Sequence, residues 1–212
     1  MTVNHTVLDH PLLRHKINLL RDRETRPVVF RALVREIAQL MAYEATRDLA
    51  LADRAIETPM APMTAQVLAE PQPVLVSILR AGNAMLDGLL DLIPTASVAH
   101  IGMYRDHDTL EAVEYSYNGP PDIAARKCLI VDPMLATANS SSAAIARLKE
   151  KGVRDMRLIS ILAAPEGLAK LTDAHPDVSV LVGALDERLD ENGYIVPGLG
   201  DAGDRAFDTP KS

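Results

Sequence analysis

The chain has 212 residues, 48% hydrophobic and 24% charged, with a net charge of −7, values typical of a globular protein with a sizeable core. The negative charge and the aromatic fraction of 3% argue against a nucleic-acid-binding or membrane-binding surface. A single cysteine excludes an internal disulfide and the first residues do not resemble a signal peptide, so we expect a cytoplasmic protein.

The first third of the chain predicts two helices. Asp9 is expected to cap the first helix, with Pro11 in its first turn. The second is predicted from about Pro27 to Glu44, because its apolar residues recur at helical spacing. These residues are Val29, Leu33, Ile37, Leu40 and Met41. The segment 55–63 contains two prolines and is predicted to be irregular or an edge strand.

From residue 73 onward, short apolar runs alternate with helical stretches. Strands are predicted over 74–79, 98–104, 128–131, 157–162 and 178–182, with helices between them and a hairpin arm over 112–117. This alternation predicts an α/β fold, with a mostly parallel sheet and helices on both faces. We expect one domain: N-terminal helices at about 9–44, an α/β core at about 73–184, and a Gly- and Asp-rich tail loop at about 185–208.

The segment 132–141 follows a predicted strand and precedes a predicted helix. Its small residues let main-chain N–H groups approach an anion, and the helix dipole favours negative charge there. Thr137, Ser140 and Ser141 add hydroxyl donors, while Asp132 offers an acceptor for ribose hydroxyls. The alternative is that the serines only cap the helix. Cys128 lies in the preceding apolar run and is expected to be a core side chain and not a nucleophile.

The residues from Asp132 to Thr137, followed by Ser140, resemble the phosphoribosyl-diphosphate (PRPP) loop of uracil phosphoribosyltransferases. The resemblance covers nearly the whole chain, through residues 10–12, 43–48, 78–82, 100–106, 163–167 and 193–205. So many matches in the same order are more specific than any short motif. They imply a type I phosphoribosyltransferase-like fold, with a hairpin arm and a C-terminal hood loop.

The resemblance implies a set of PRPP-binding residues. An arginine just after a strand can fork onto phosphate oxygens, although an isolated one there more often forms a surface ion pair. The resemblance gives Arg80 and Arg105 the phosphate-binding role. The implied PRPP set is Arg80, Arg105, Asp132, Pro133, Met134, Leu135, Ala136, Thr137, Ala138, Asn139, Ser140 and Asp201.

The resemblance also implies how uracil and magnesium are held. Uracil presents two carbonyl groups beside an N–H group, a pattern that exposed peptide groups of a Gly-rich turn can match. Ile195, Gly200, Asp201 and Ala202 would hold it through main-chain atoms, whereas composition alone would indicate a solvated loop. Mg²⁺ is implied by the substrate and would be held mainly by PRPP, since it prefers phosphate, water and one or two carboxylates. The implied reaction needs no nucleophilic side chain.

The sequence departs from the family pattern in segments expected to bind the 5′-phosphate and the diphosphate of PRPP. Ala138-Asn139 replace the usual Gly-Gly, and alanine is disfavoured at positive φ by about 1–2 kcal/mol. The added methyl group is also expected to crowd the 5′-phosphate and weaken PRPP affinity, with Ser141 and Ser142 as compensating donors. Asn118 stands where a lysine is usual, and Asn83-Ala84 replace Leu-Gly.

The implied function is transfer of the phosphoribosyl group from PRPP to uracil, which gives UMP and pyrophosphate in pyrimidine salvage. One alternative is a catalytically weak PRPP- or nucleotide-binding sensor, a pseudoenzyme, which only the departures support. Another is the same chemistry on a different base. The family further implies a homo-oligomer, dimer or larger, and GTP as a candidate allosteric activator, with no nucleic acid or membrane as partner.

Overall fold

The computed structural model describes residues 5–105 and 112–209, without the side chains of residues 104, 105, 112 and 113. Its helices are α1 Pro11–Arg21, α2 Pro27–Ala45, α3 Asn83–Leu92, α4 Asn139–Glu150, α5 Pro165–Ala174 and α6 Ala202–Phe207. Its strands are β1 His5–Val7, β2 Leu51–Glu57, β3 Pro62–Leu68, β4 Val74–Leu79, β5 Ser97–Arg105, β6 Ala112–Asn118, β7 Cys128–Val131, β8 Met134–Leu135, β9 Met156–Ala163, β10 Ser179–Leu185, β11 Arg188–Leu189 and β12 Ile195–Val196. Within the described ranges, no helix is long and apolar enough to cross a membrane.

Eight strands form one sheet in the order β1-β10-β9-β7-β4-β5-β6, with β8 pairing at the end of β9. Every pair in this sheet is parallel except β5 with β6, which run antiparallel. The predicted mostly parallel sheet is therefore confirmed, and β6 is the predicted hairpin arm.

Alternate residues of the central strands pack on opposite faces of the sheet. Leu129 and Val131 of β7 pack in a buried cluster with α1, α2 and α3. Cys128 and Ile130 of the same strand pack in a second cluster with α4 and α5. Because both faces are covered by helices, these strands carry apolar residues at every position, which explains the continuous apolar runs in the sequence.

Strands β4 and β7 are neighbours in the sheet, but the chain leaves them toward opposite faces. Helix α3, which follows β4, packs in the first cluster, and α4, which follows β7, packs in the second. Open α/β sheets bind ligands in the crevice that such a divergence creates beyond the carboxyl ends of the strands. The fold therefore brings the turn after β4 beside the loop after β7.

The N-terminal helices match the predicted ranges but differ in detail. The cap of α1 is His10, whose Nδ1 accepts a 3.2 Å hydrogen bond from Leu12 N. The prediction that Asp9 is the cap is wrong, because Asp9 forms an ion pair with Arg14 at 2.6 Å. In α2 the buried face is rotated slightly from the predicted one, so that Val29 is 52% exposed. The residues buried on that helix are Phe30, Leu33, Val34, Ile37, Ala38, Met41, Ala42 and Ala45.

The segment predicted to be irregular or an edge strand belongs to a regular two-stranded hairpin. Strands β2 and β3 pair antiparallel in register from Leu51 with Leu68 to Glu57 with Pro62. Pro59 lies in the turn between them, and Pro62 begins β3, the first position of a strand, where a proline is tolerated. Every residue of β2 is exposed, so the alternation that marks a half-buried strand is missing from its sequence.

Candidate functional site

Three segments meet beyond the carboxyl ends of β4 and β7. They are the β4 turn (residues 80–82), the β7 loop (residues 132–139) and the tail loop (residues 193–204). A methyl group placed on Gly82 would lie 2.5 Å from the carbonyl oxygen of Val131, so the β4 turn packs directly on the end of β7. The packing at Gly82 leaves no room for a side chain.

The tail loop closes against both other segments. A methyl group placed on Gly193 would lie 3.1 Å from Cγ2 of Thr137 in the β7 loop. On the other side, Nη2 of Arg80 lies 3.8 Å from Oδ1 of Asp204. The structure therefore brings the predicted phosphate-binding and uracil-binding segments together into one site.

The β7 loop is anchored to β9 through its main chain. Leu162 N donates to the carbonyl oxygen of Pro133 and Ala164 N to that of Leu135, both at 3.0 Å. Pro133 and Leu135 are buried, so their side chains are directed away from any ligand in the site. The rest of the loop, from Ala136, leads into Asn139 and Ser140 in the first turn of α4, where the N–H groups have no partner within the helix.

Ala138 adopts the left-handed conformation expected at this position, with φ of 62°. It is the N-cap of α4 and is 4% exposed, packed within the second buried cluster. Its methyl group thus contacts the protein interior. The structure does not support the expectation that this methyl group crowds a phosphate, although the backbone strain remains.

Asn139 has a partner that the sequence does not reveal. Its Oδ1 accepts a 2.6 Å hydrogen bond from Nζ of Lys170, on α5. Helix α5 packs closely on the β7 loop, since a methyl group placed on Gly167 would overlap the carbonyl oxygen of Ala136. The substitution of asparagine for glycine therefore brings an ammonium group to the start of α4.

Asp132 lies at the end of β7 with both carboxylate oxygens engaged. Oδ1 accepts from Met134 N at 3.4 Å and Oδ2 from the hydroxyl of Ser141 at 3.2 Å. Burial raises the pKa of Asp132 to about 6, and these two hydrogen bonds oppose the shift.

Ser141 is itself buried, and the hydroxyl of Ser142 bonds Nε2 of His175 at 2.8 Å. Both serine hydroxyls thus have protein partners, contrary to their expected role as compensating donors.

The β4 turn presents its arginine to solvent. The side chain of Arg80 is 63% exposed and follows a cis peptide bond after Leu79. Asn83, one of the departures, accepts a 2.8 Å hydrogen bond at Oδ1 from the buried hydroxyl of Ser77. Arg105 ends β5, and its side chain lies outside the described residues.

The tail loop turns sharply at Gly198 and leaves Gly200 exposed. Ile195 is buried in β12, and a methyl group on Gly198 would overlap its carbonyl oxygen. Gly200 has a φ of 81°, and a methyl group placed there would meet nothing within 4 Å. Asp201 caps α6 by accepting a 2.8 Å hydrogen bond from the main-chain N–H of residue 204, and Ala202 follows as the first, buried helical residue.

Sequence reasoning missed the residues that hold this tail loop. Arg21 and Asp186 bond the main chain of Gly198, and Arg205 bonds the carbonyl oxygen of Leu199. Arg205 lies in a segment that carries the family resemblance, which was the one available signal. Arg21 and Asp186 have no local sequence pattern that marks them.

Within residues 5–105 and 112–209, no cluster of three or more His, Cys, Asp or Glu side chains could hold a metal ion. The carboxylates at the site are those of Asp132, Asp201 and Asp204, and Oδ1 of Asp204 already accepts a 2.6 Å hydrogen bond from the hydroxyl of Thr209. One or two carboxylates fit a Mg²⁺ ion that arrives with a diphosphate, since this ion keeps water and phosphate as most of its ligands. They do not fit a metal held by the protein alone.

Comparison with known proteins identifies the family. A family model described as uracil phosphoribosyltransferase matches residues 7–209. The chain belongs to this family. It is 56% identical over 204 residues to the uracil phosphoribosyltransferase of Brucella ovis and equally to that of Brucella anthropi, covering 96% of this chain and 98% of each relative. The solved structure of the AQ2163 protein from Aquifex aeolicus is 34% identical, with a TM-score of 0.93 over 98% of this chain and all of that one.

Proposed function

We propose that this chain transfers the phosphoribosyl group from PRPP to uracil, giving UMP and pyrophosphate. The observation that carries the proposal is the approach of the tail loop to the β7 loop at Gly193 and Thr137. The β7 loop leads into the start of α4, where main-chain N–H groups can bind a phosphate. The tail loop leaves the main chain at Gly200 exposed. Family membership over nearly the full chain supports the same conclusion.

The proposed PRPP site is built on the β7 loop and two arginines. Main-chain N–H groups from Ala136 to Ser140, with the hydroxyl of Thr137, would bind the 5′-phosphate, favoured by the dipole of α4. Asp132 would accept bonds from the ribose hydroxyls. Arg80 and Arg105 would neutralise pyrophosphate, and Arg80 is exposed enough to turn from Asp204 toward it.

The proposed uracil site uses main-chain groups of Ile195, Gly200, Asp201 and Ala202. Gly200 is exposed and has open space beside its Cα atom, so a flat base has room to approach its main chain. Peptide N–H and C=O groups match the alternating acceptors and donor of uracil, whereas the amino group of cytosine would place a donor against a donor. This complementarity would select the base without any charged side chain.

Mg²⁺ is proposed to bind with PRPP and to supply charge neutralisation to the departing pyrophosphate. Asp201 is the exposed carboxylate at the site and would hold the ion together with phosphate oxygens and water. The protein itself would contribute position and charge. A nucleophilic cysteine has no part in this scheme, because Cys128 is buried and burial raises the pKa of its thiol to about 12.

The test is production of UMP from labelled uracil, PRPP and Mg²⁺, with cytosine, orotate and hypoxanthine as competing bases. We expect UMP from uracil alone. Gly200→Ala should lower kcat/KM for uracil by about tenfold or more, because it strains the exposed peptide. Gly152→Ala is the matched control, since Gly152 also has positive φ but lies at the far end of α4. Equal losses in the two variants would contradict the proposed uracil site.

The alternative of a catalytically weak sensor rests on Ala138 and Asn139. Ala138 adopts the left-handed conformation with its methyl group in the interior, and Asn139 bonds Lys170. Neither observation favours the sensor. Calorimetric binding of PRPP without UMP formation in the turnover assay would reverse this conclusion.

A homo-oligomer is proposed from two exposed apolar features. The β2–β3 hairpin carries exposed Met60, at 92%, and Met63. A cavity of about 890 Å³ lies between α1 and α2, lined in part by Leu13, Leu40 and Tyr43. Light scattering of the parent and of Met60→Glu with Met63→Glu tests this, and we expect the variant to dissociate.

Three further features stay proposals. GTP activation is proposed from the family resemblance and would appear as a change in turnover when GTP is added. A single domain is supported by the packing of both buried clusters on one sheet. The cytoplasmic location is proposed from the lone, buried cysteine.

A further inference from the structure

The sharp turn of the tail loop is held by an ion pair from two distant parts of the chain. Arg21 ends α1, and Asp186 follows β10. The guanidinium forks onto both carboxylate oxygens, with Nη1 2.7 Å from Oδ2 and Nη2 on Oδ1. The pair is largely buried, since the side chains are 20% and 4% exposed.

Both members of the pair also bind the main chain of one residue, Gly198. Nη1 of Arg21 donates to the carbonyl oxygen of Gly198 at 2.8 Å. Oδ2 of Asp186 accepts from the N–H of Gly198 at 2.8 Å. The two peptide groups that flank this residue are therefore fixed in orientation by charged partners, which form stronger hydrogen bonds than neutral ones.

A second arginine fixes the next peptide group. Nη1 of Arg205 donates to the carbonyl oxygen of Leu199 at 2.9 Å, and its guanidinium lies over the ring of Phe30 at 4.6 Å. The carbonyl groups of two successive residues are thus held by arginines. The next residue, Gly200, is exposed and has open space beside its Cα atom.

We propose that Arg21 and Asp186 are positioning residues for the pyrimidine. They set the orientation of the peptide groups over residues 198–200, and this orientation selects and aligns the base. The inference rests on the proposed function, because it assigns the residues a role in that same site. Neither side chain touches the base, and their effect passes through the main chain of Gly198.

The role is distinct from ordinary stabilisation by an ion pair. Arg35 and Asp91 also form a bidentate pair, with Nε–Oδ2 and Nη2–Oδ1 distances of 2.6 and 2.7 Å. This pair joins α2 to α3 and has no hydrogen bond to the tail loop. It supplies a control with the same bidentate geometry in a more exposed setting, with side chains 52% and 34% exposed.

The main test variant is Arg21→Met with Asp186→Leu, which removes the pair without leaving one buried charge alone. We expect the KM for uracil to rise by about tenfold to a hundredfold while the KM for PRPP stays within about twofold. The control, Arg35→Met with Asp91→Leu, should change neither KM beyond about twofold. The KM for uracil of Arg21→Lys should lie between those of the parent and the double variant. A lysine ammonium group lacks the planar set of N–H donors with which Arg21 binds both Asp186 and Gly198.

Hydrogen exchange of main-chain amides gives a readout that needs no activity. In the double variant we expect faster exchange at Gly198 and Gly200, with α2 and the sheet unchanged. If the parent makes no UMP, the proposed function has failed, and exchange alone decides the positioning role. Unchanged exchange at these amides, or equal rises in both KM values, would overturn it.

Discussion

Lys170 Nζ donates a 2.6 Å hydrogen bond to Oδ1 of Asn139, the first residue of α4. This contact joins α5 to the start of the helix that carries the proposed phosphate site. An ammonium group there adds to the positive end of the helix dipole. The chain is acidic overall, so a local cation of this kind matters for an anionic substrate.

Lys170→Met should raise the KM for PRPP by about two- to fivefold without changing the KM for uracil. The effect should shrink as salt is added, because Lys170 is exposed and its charge is screened. Initial-rate kinetics at two ionic strengths measure both effects. Lys16→Met is the control, since Lys16 pairs with Glu36 on the N-terminal helices. A salt-independent change, or the same change in the control, would argue against the charge effect.

Ala138→Gly should not destabilise the protein. Relief of the left-handed strain is worth about 1–2 kcal/mol, and loss of one buried methyl group costs about 0.8 kcal/mol. The free energy of unfolding should therefore rise by up to about 1 kcal/mol. The KM for PRPP should stay within about twofold, because the methyl group packs in the interior.

The control for this prediction is Ala144→Gly, a buried alanine in the middle of α4. There the same substitution should lower the free energy of unfolding by about 1 kcal/mol or more. Urea unfolding of the three proteins measures both values. Equal destabilisation in the two variants would show that Ala138 is not strained.

Asp132 should make stability depend on pH. Burial raises its pKa to about 6, so the folded protein favours the protonated carboxyl group. The stabilising contribution is present below the unfolded pKa of about 3.9 and is lost as pH rises through about 6. Asp132→Asn should thus match the parent at about pH 4 and exceed it by up to about 3 kcal/mol at about pH 7.

The same variant should lose function while it gains stability. An amide cannot replace an ionised carboxylate as acceptor for two ribose hydroxyls, so the KM for PRPP should rise by about tenfold or more. The exposed Asp173→Asn, on α5, should alter neither property. A stability difference that does not grow with pH would contradict the raised pKa of Asp132.

Cys128 should be inert to alkylation in the folded protein. Its pKa of about 12 leaves a thiolate fraction roughly a thousandfold below that of an ordinary thiol at about pH 8. Reaction with a thiol reagent should therefore be slow in buffer and complete in urea. Rapid labelling of the native protein would show that β7 is accessible, contrary to its burial.

The sequence was sufficient to predict the central strands and the site loops. Strands covered on both faces have continuous apolar runs, and β7 was predicted with its exact bounds, 128–131. The β7 loop and the tail loop were predicted from motifs that follow such strands. The contact between these loops at Gly193 and Thr137 was not predicted and comes from the structure.

Other features could not be predicted from sequence patterns alone. The order of strands around β4 and β7 depends on packing of the whole sheet. The cap of α1 is a choice between two adjacent acceptors, Asp9 and His10, and in the structure His10 caps the helix while Asp9 pairs with Arg14. Every residue of β2 is exposed, so no hydrophobic alternation marks that strand of the hairpin.

The contact of Arg21 with Gly198 joins residues that are 177 positions apart in the chain. Contacts over such a separation form late in folding, because the entropy of closing the loop must be overcome before the contact contributes. We therefore expect refolding protein to recover its helical circular dichroism before its ability to bind a pyrimidine. In a growing polypeptide, base recognition would begin only after the final part of the tail loop had been synthesised and had met α1.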